Sequence, residues 1–266
     1  ENRGNALKFL LRTLNALQGK GIEFGIVSLA GGSKHNAIPR EADAVIRIAE
    51  GSESAAVAAV DAFARVLKEE FGEIDPGQRG ECVTLEDREE NRKVWIRFDN
   101  DRVLDALLAC PHGVLGMSRA VPGLVETSNN LAVVTTEGNT VKVTTSSRSS
   151  VMPSLKATTE QIGAAFRLGG AEVEQRDGYP GWKPNPSSAV LNTALKVFER
   201  EFKKKPAVKA IHAGLECGLI GEKYPGMDMV SMGPQIESPH SPDERVQIST
   251  VDRFYTFLKA TLAELA

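Results

Sequence analysis

The sequence predicts an α+β domain made of two helix-strand-strand-helix-strand units, followed by a shorter α/β segment. Three observations carry this. Leucines at helical spacing open the chain, paired strand-like runs follow the first helix and recur near residue 131, and a Pro/Gly-rich stretch sets residues 1–178 apart from the rest. The composition, 41% hydrophobic and 25% charged over 266 residues, is that of a soluble globular chain long enough to bury a full core.

The first element is a helix. Leu7, Leu10, Leu11, Leu14 and Leu17 share one face, and Gly19 is expected to end it. Strands are expected at 23–30 and 43–48, flanking the polar stretch 31–41. Ser52 suits the N-cap of a second helix that turns Ala56, Val60, Phe63 and Leu67 towards a core. A short strand at 82–85, after the loop 72–80, closes a unit of about 1–90.

The order then recurs over about 100–178. A helix at 103–109 precedes strands at 131–136 and 140–145, joined by the turn Glu137-Gly138-Asn139. A helix after Pro153 carries Leu155, Ile162 and Phe166, ends at Gly169-Gly170 and leads into a strand at 171–175. The duplication rests on element order without a residue-level repeat, and the two halves are expected to join in one larger sheet.

Three prolines and two glycines between Gly178 and Pro186 cannot continue a helix or a central strand, so a boundary falls there. Residues 179–266 read as a helix through Leu191, Leu195, Phe198 and Phe202, strands at 208–212 and 227–232, and a last helix from Thr250 with Phe254, Leu258 and Leu262 aligned. This segment is short for an independent α/β domain and is expected to pack onto further sheet supplied from elsewhere.

Charge and cysteine usage narrow the function classes. A formal charge of -3 and the lack of a basic face argue against nucleic acid; Lys203-Lys204-Lys205 reads as the solvated last turn of a helix. No apolar run approaches the ~20 residues a bilayer span needs. Cys82, Cys110 and Cys217 are odd in number, far apart and outside any CxxC pair, which fits a reducing cytoplasm without a disulfide framework. The chain opens at Glu1 and runs straight into a helix, as a truncated polypeptide would.

Four stretches carry chemistry. In Ser238-Pro239-His240-Ser241-Pro242-Asp243-Glu244, His240 follows an expected buried strand, where α/β sheets present functional groups; it is a candidate zinc ligand or a loop histidine among turn formers. In 211–218, Gly214 and Gly218 bracket a tight turn where backbone can approach a ligand, and Glu216 can bind an amine or cap a helix. His212 and Cys217 raise a thiol-nucleophile reading, though their separation in a turn favours separate roles. In 31–41, Asn36 can hydrogen-bond a substrate carboxylate or carbonyl, or its own backbone. Arg148, in 144–150 at a strand end, has the planar fork for bidentate carboxylate capture, a type of residue also common on surfaces.

Taken together, these words resemble the aminoacyl-histidine dipeptidases, relatives of carnosinase and dipeptidase V. The matching words are Arg3-Gly4-Asn5-Ala6, the run 31–41, Val125-Glu126-Thr127-Ser128, Tyr179-Pro180-Gly181-Trp182, the run 212–218, Met227-Asp228-Met229-Val230-Ser231 and the run 239–244. They occur in the family's order along the whole chain.

The resemblance implies that residues 1–178 are most of a lid and dimerisation domain, and that 179–266 are the C-terminal part of a zinc-peptidase catalytic domain. It implies His240 as a zinc ligand, and Asn36, Arg148 and Gly214 as binders of the substrate's terminal carboxylate and peptide carbonyl. It further implies two zinc ions per full-length subunit, a homodimer and a small Xaa-His dipeptide substrate. The family's other metal ligands and its Glu base have no counterpart here, for the sequence holds no His-x-Asp word. A lone histidine cannot hold catalytic zinc, so the chain by itself is expected to be inactive and to bind no zinc tightly. Two further readings stand beside this one: a non-catalytic dimerisation or small-molecule-binding module, and a Cys217-dependent hydrolase.

Overall fold

The computed structural model describes residues 3–85, 97–119, 121–176, 178, 180–183, 185–209, 216–238 and 243–266. The described residues fall into two compact units, one formed by 1–117, 125–149 and 153–176, the other by 118–124, 150–152 and 177–266.

The first unit opens with α1 (Ala6–Gly19), whose Leu7, Leu11, Leu14 and Leu17 are all buried. Each leucine so placed contributes roughly 1.5–3 kcal/mol of apolar burial. Gly19 lies inside the helix; the break comes at Gly21, with φ 75°, where the Gly21 and Ile22 amides cap the carbonyls of Gln18 and Leu17. The strands β1 (Phe24–Gly31) and β2 (Ala42–Ile48) follow, then α2 (Glu53–Phe71). Ser52 precedes α2 but makes no side-chain cap bond. Next come α3 (Arg97–Ala109), β3 (Gly113–Met117), β4 (Val125–Glu137), β5 (Thr140–Ser149) and α4 (Met152–Leu168).

One antiparallel sheet joins both halves, in the order β2-β1-β4-β3, with β5 on the other side of β4. Gly138, at φ 59°, makes the tight turn between β4 and β5, where Glu137 pairs with Thr140. Bulges explain why buried residues lie three apart: one between Ile26 and Ser28 in β1 turns both Ile26 and Leu29 inward, and one between Leu131 and Val133 in β4 turns Leu131, Ala132 and Val134 inward. Only Ala30 and Gly31 of β1 pair with β4. Side chains occupy the remaining edge: Asn100 accepts from the Ile26 amide and donates to the Phe24 carbonyl, and the Thr136 hydroxyl bonds both the amide and the carbonyl of Leu29.

The expected closing strands are absent. Residues 81–85 form no ladder, and Val83 and Leu85 are exposed, so this apolar run found no partner edge. Residues 171–176 also form no ladder. They run back along α4 instead, with Gln175 donating to the Thr159 carbonyl and Val173 packing on the core. The sequence reading also missed β3, a short edge strand with glycine at two of its five positions.

The second unit contains α5 (Ala189–Phe202), α6 (Glu216–Lys223), β6 (Ile236–Glu237), β7 (Arg245–Val246) and α7 (Val251–Leu265). Ser188 caps α5, accepting from the Leu191 amide. Phe198, Phe202 and Phe257 pack edge to face between α5 and α7, with Arg253 stacked 4.4 Å from the Phe202 ring centre. The expected strand at 227–232 forms no ladder; its Asp228 carboxylate instead accepts from the Val190 amide and the Ser188 hydroxyl at the start of α5. Of the expected strand at 208–212, Val208 and Lys209 form no ladder and the rest lies outside the described residues.

Candidate functional site

The described part of the site is built on the first half of β4. Successive strand residues point to opposite faces, and directly paired residues share a face. Ser128 pairs with Arg148 and Asn130 with Ser146, so these four lie on one face; Thr127, Asn129, Ser147 and Ser149 lie on the other.

The inner face is polar, yet its groups are hydrogen-bonded. Thr127 and Ser149 share a hydroxyl-hydroxyl bond of 2.9 Å. The Asn129 amide donates to the Pro111 carbonyl at 2.6 Å and to the Cys110 sulfur, and its oxygen accepts from the Ser147 hydroxyl. Asn5, in the Arg3-Gly4-Asn5-Ala6 word, extends this network. Its oxygen accepts from the Lys8 amide as the cap of α1, which fixes the orientation of its NH2 group. That group donates to the Leu131 carbonyl and contacts the His112 Nδ1 at 3.2 Å, so His112 must carry its proton on Nε2.

Burial, aided by the nearby Lys8 charge, lowers the His112 pKa to about 4, and burial raises the Cys110 thiol to about 11. Lys8, its own pKa lowered by burial, donates to the Leu107 and Leu108 carbonyls at the end of α3. A neutral imidazole bonded to the Asn5 side chain and a protonated thiol bonded to the Pro111 carbonyl offer no nucleophile.

The outer face carries the substrate candidates. The stretch 32–41 leaves β1 at Gly32, with φ 71°, where a Cβ would lie 1.9 Å from the Ala132 carbonyl oxygen, so only glycine fits. It returns through Pro39, whose carbonyl accepts from the Ala6 amide, and through a bond from the Gly32 amide to the Glu41 carbonyl. Its tip is a turn closed by the Ala37 amide on the Lys34 carbonyl, and Asn36 stands exposed on it. The Asn130 side chain donates to the Ala37 carbonyl at 2.7 Å and reaches the His35 carbonyl at 3.4 Å. The turn bearing Asn36 and the exposed Arg148 are therefore brought to the same face of β4-β5, with Asn130 two residues along the strand from the partner of Arg148.

The other two candidates, Gly214 and His240, lie outside the described residues, as does His212. The strand expected ahead of His240 is not formed; the nearest ladder before it is β6, two exposed residues paired with β7. Glu216 opens α6, and the Cys217 thiol on that helix is pushed up by burial and by Glu216, the reverse of an activated nucleophile. Gly218 gives room to the Pro180 carbonyl, which a Cβ there would meet at 2.4 Å. Among the described residues, no group of three or more His, Cys, Asp or Glu side chains could hold a metal ion. A groove of about 2200 Å³ between α1, β2, α2 and residues 74–85 is lined by neither Asn36 nor Arg148.

Sequence reasoning missed Asn5, Asn129 and Asn130. The Asn129-Asn130 pair lies just ahead of the strand expected at 131–136, where asparagine reads as a turn former.

A crystal structure of aminoacylhistidine dipeptidase from Vibrio alginolyticus superposes with a TM-score of 0.88 at 38% identity, over 98% of this chain and 53% of its own. The cytosol non-specific dipeptidase of Escherichia coli (strain K12) is 36% identical over 262 residues, 98% of this chain and 53% of the relative. The chain is thus similar to these dipeptidases along 98% of its own length. Residues 1–75 match the peptidase dimerisation domain. The chain spans about half the length of the proteins it matches. No helix among its described residues is long and apolar enough to cross a membrane.

Proposed function

We propose that this chain is the substrate-orienting and dimer-forming portion of a longer zinc-dependent dipeptidase acting on Xaa-His dipeptides in the cytoplasm. The observation that carries the reading is the placement of Asn36 and Arg148 on one face of β4-β5, within a chain related to two dipeptidases along 98% of its length. Arg148 is proposed to grip the terminal carboxylate through paired N–H donors, and Asn36 to bond the carboxylate or the peptide carbonyl, fixing the dipeptide's position. Gly214 is proposed to let backbone approach the same ligand, and His240 to add one zinc ligand.

The described residues do not make a zinc site, and one further histidine would not complete it. The bond-breaking step is therefore proposed to belong to groups outside the described residues. Residues 1–178 are proposed as the lid and dimerisation domain and 179–266 as part of the catalytic domain.

The test compares the chain, and a longer polypeptide carrying it, for release of free histidine from an Xaa-His dipeptide with added zinc. The expected result is no turnover by the chain and chelator-sensitive turnover by the longer protein. Turnover by the chain, or a longer protein indifferent to chelators, overturns the reading. A second reading, a non-catalytic dimerisation module, draws on the match of residues 1–75. It predicts a dimer without zinc or peptidase activity in either protein.

A further inference from the structure

Asn130 is not among the residues from which substrate contact was expected, yet it is the side chain that ties the Asn36 turn to the sheet. Its NH2 group donates to the carbonyls of Ala37 and His35, the residues on either side of Asn36. Its Oδ1 is buried and makes no hydrogen bond with the described residues, so its contribution lies in its donors. Leaving an amide oxygen in that state is a cost that a smaller or apolar strand residue would avoid.

The other anchors of the stretch grip its ends, at Gly32 with Glu41 and at Pro39 with Ala6. Asn130 grips the tip. Because Asn130 pairs with Ser146 and Ser128 with Arg148, the clamp stands on the same ladder that carries Arg148.

The geometry points to Asn130 as a positioning residue that sets Asn36 relative to Arg148, and so sets the reach between the two groups that hold the dipeptide. This rests on the substrate roles proposed above for Asn36 and Arg148. Asn130 acts through the turn and touches no substrate itself.

The test has two arms. In the chain alone, hydrogen exchange at the Ala37 amide reads the closure of the turn; Asn130→Asp removes the donors at constant size, and Asn130→Gln keeps them. In the longer polypeptide, Asn130→Asp, which loses the donors to both carbonyls and sets a carboxylate against them, is expected to raise KM at least about tenfold with kcat nearly kept. Asn130→Gln is expected to recover part of that loss.

Asn36→Ala added to Asn130→Asp is expected to cost nothing more, since a residue acting through another does not add to it. Unchanged Ala37 exchange in Asn130→Asp, or fully additive costs of the two substitutions, overturns the inference. If Asn36→Ala by itself leaves KM unchanged while Asn130→Asp loosens the turn, the substrate role proposed for Asn36 is what fails.

Discussion

Thr127 and Asn129 differ from Ser128 and Asn130 by a single step along β4, and the two pairs carry nearly the same chemistry. Their surroundings separate them. The first pair is buried and spends its hydrogen bonds on Ser149, Ser147 and the Pro111 carbonyl, joining strand to strand and strand to helix end. The second pair faces out, beside Arg148 and under the Asn36 turn. Strand alternation thus lets one segment carry a polar structural seam on one side and the row of proposed substrate-binding groups on the other.

That division makes graded predictions. The largest effect is expected at the inner face, where Asn129→Ala leaves the Pro111 carbonyl and the Ser147 hydroxyl without their partner. We expect a loss of about 3 kcal/mol in urea unfolding with the KM of the longer protein unchanged. A stable Asn129→Ala protein with impaired substrate binding would merge the two faces.

Arg148→Ala should do the reverse. It is expected to cost about 2 kcal/mol of binding, a KM raised some thirtyfold in the longer protein, with unfolding free energy within about 1 kcal/mol of the parent. A large stability loss without a KM effect would assign Arg148 to the fold.

Acid provides a third, smaller probe. The folded His112 resists protonation down to about pH 4, whereas the unfolded imidazole takes its proton near 6.5. Between these values the unfolded chain binds the proton and the folded chain does not, so stability falls as pH drops through this window. With its partial solvent access allowed for, we expect roughly 1–2 kcal/mol between pH 7 and pH 4.5. His112→Gln should flatten the dependence, as urea midpoints at the two pH values would show; parallel curves for both proteins would remove His112 from the inner network. The smallest effect belongs to the solvated hairpin end, where Glu137→Gln breaks the ion pair with Lys142 and should cost no more than about 0.5 kcal/mol in the same unfolding measurement.

Helices with a long apolar period were legible, because α1, α2, α4 and α5 each turn an apolar stripe inward. The last, α7, was legible as a helix, though its one buried residue is Thr261 and Leu262 of the expected stripe is exposed. The hairpin of β4 and β5 was legible through its turn. Short apolar runs were not, since 82–85, 171–175 and 227–232 look like strands until one asks which edge would pair with them. For the site, Arg148 and Asn36 could be singled out by residue type and resemblance, but their common face depends on the pairing register. Asn5, Asn129 and Asn130 were unreadable for the opposite reason. An asparagine announces a turn or cap in sequence, and only the tertiary partner reveals that it is filling a missing backbone bond.

β4 pairs with β1, β3 and β5, so no neighbouring strand can separate from the sheet without exposing part of it. Amides in its centre should therefore exchange with solvent only when the whole unit opens, while the Asn36 turn, held from outside by side-chain donors, can open alone. Opening of the turn proposed to bind substrate is then a local fluctuation that never reaches the frame beneath it.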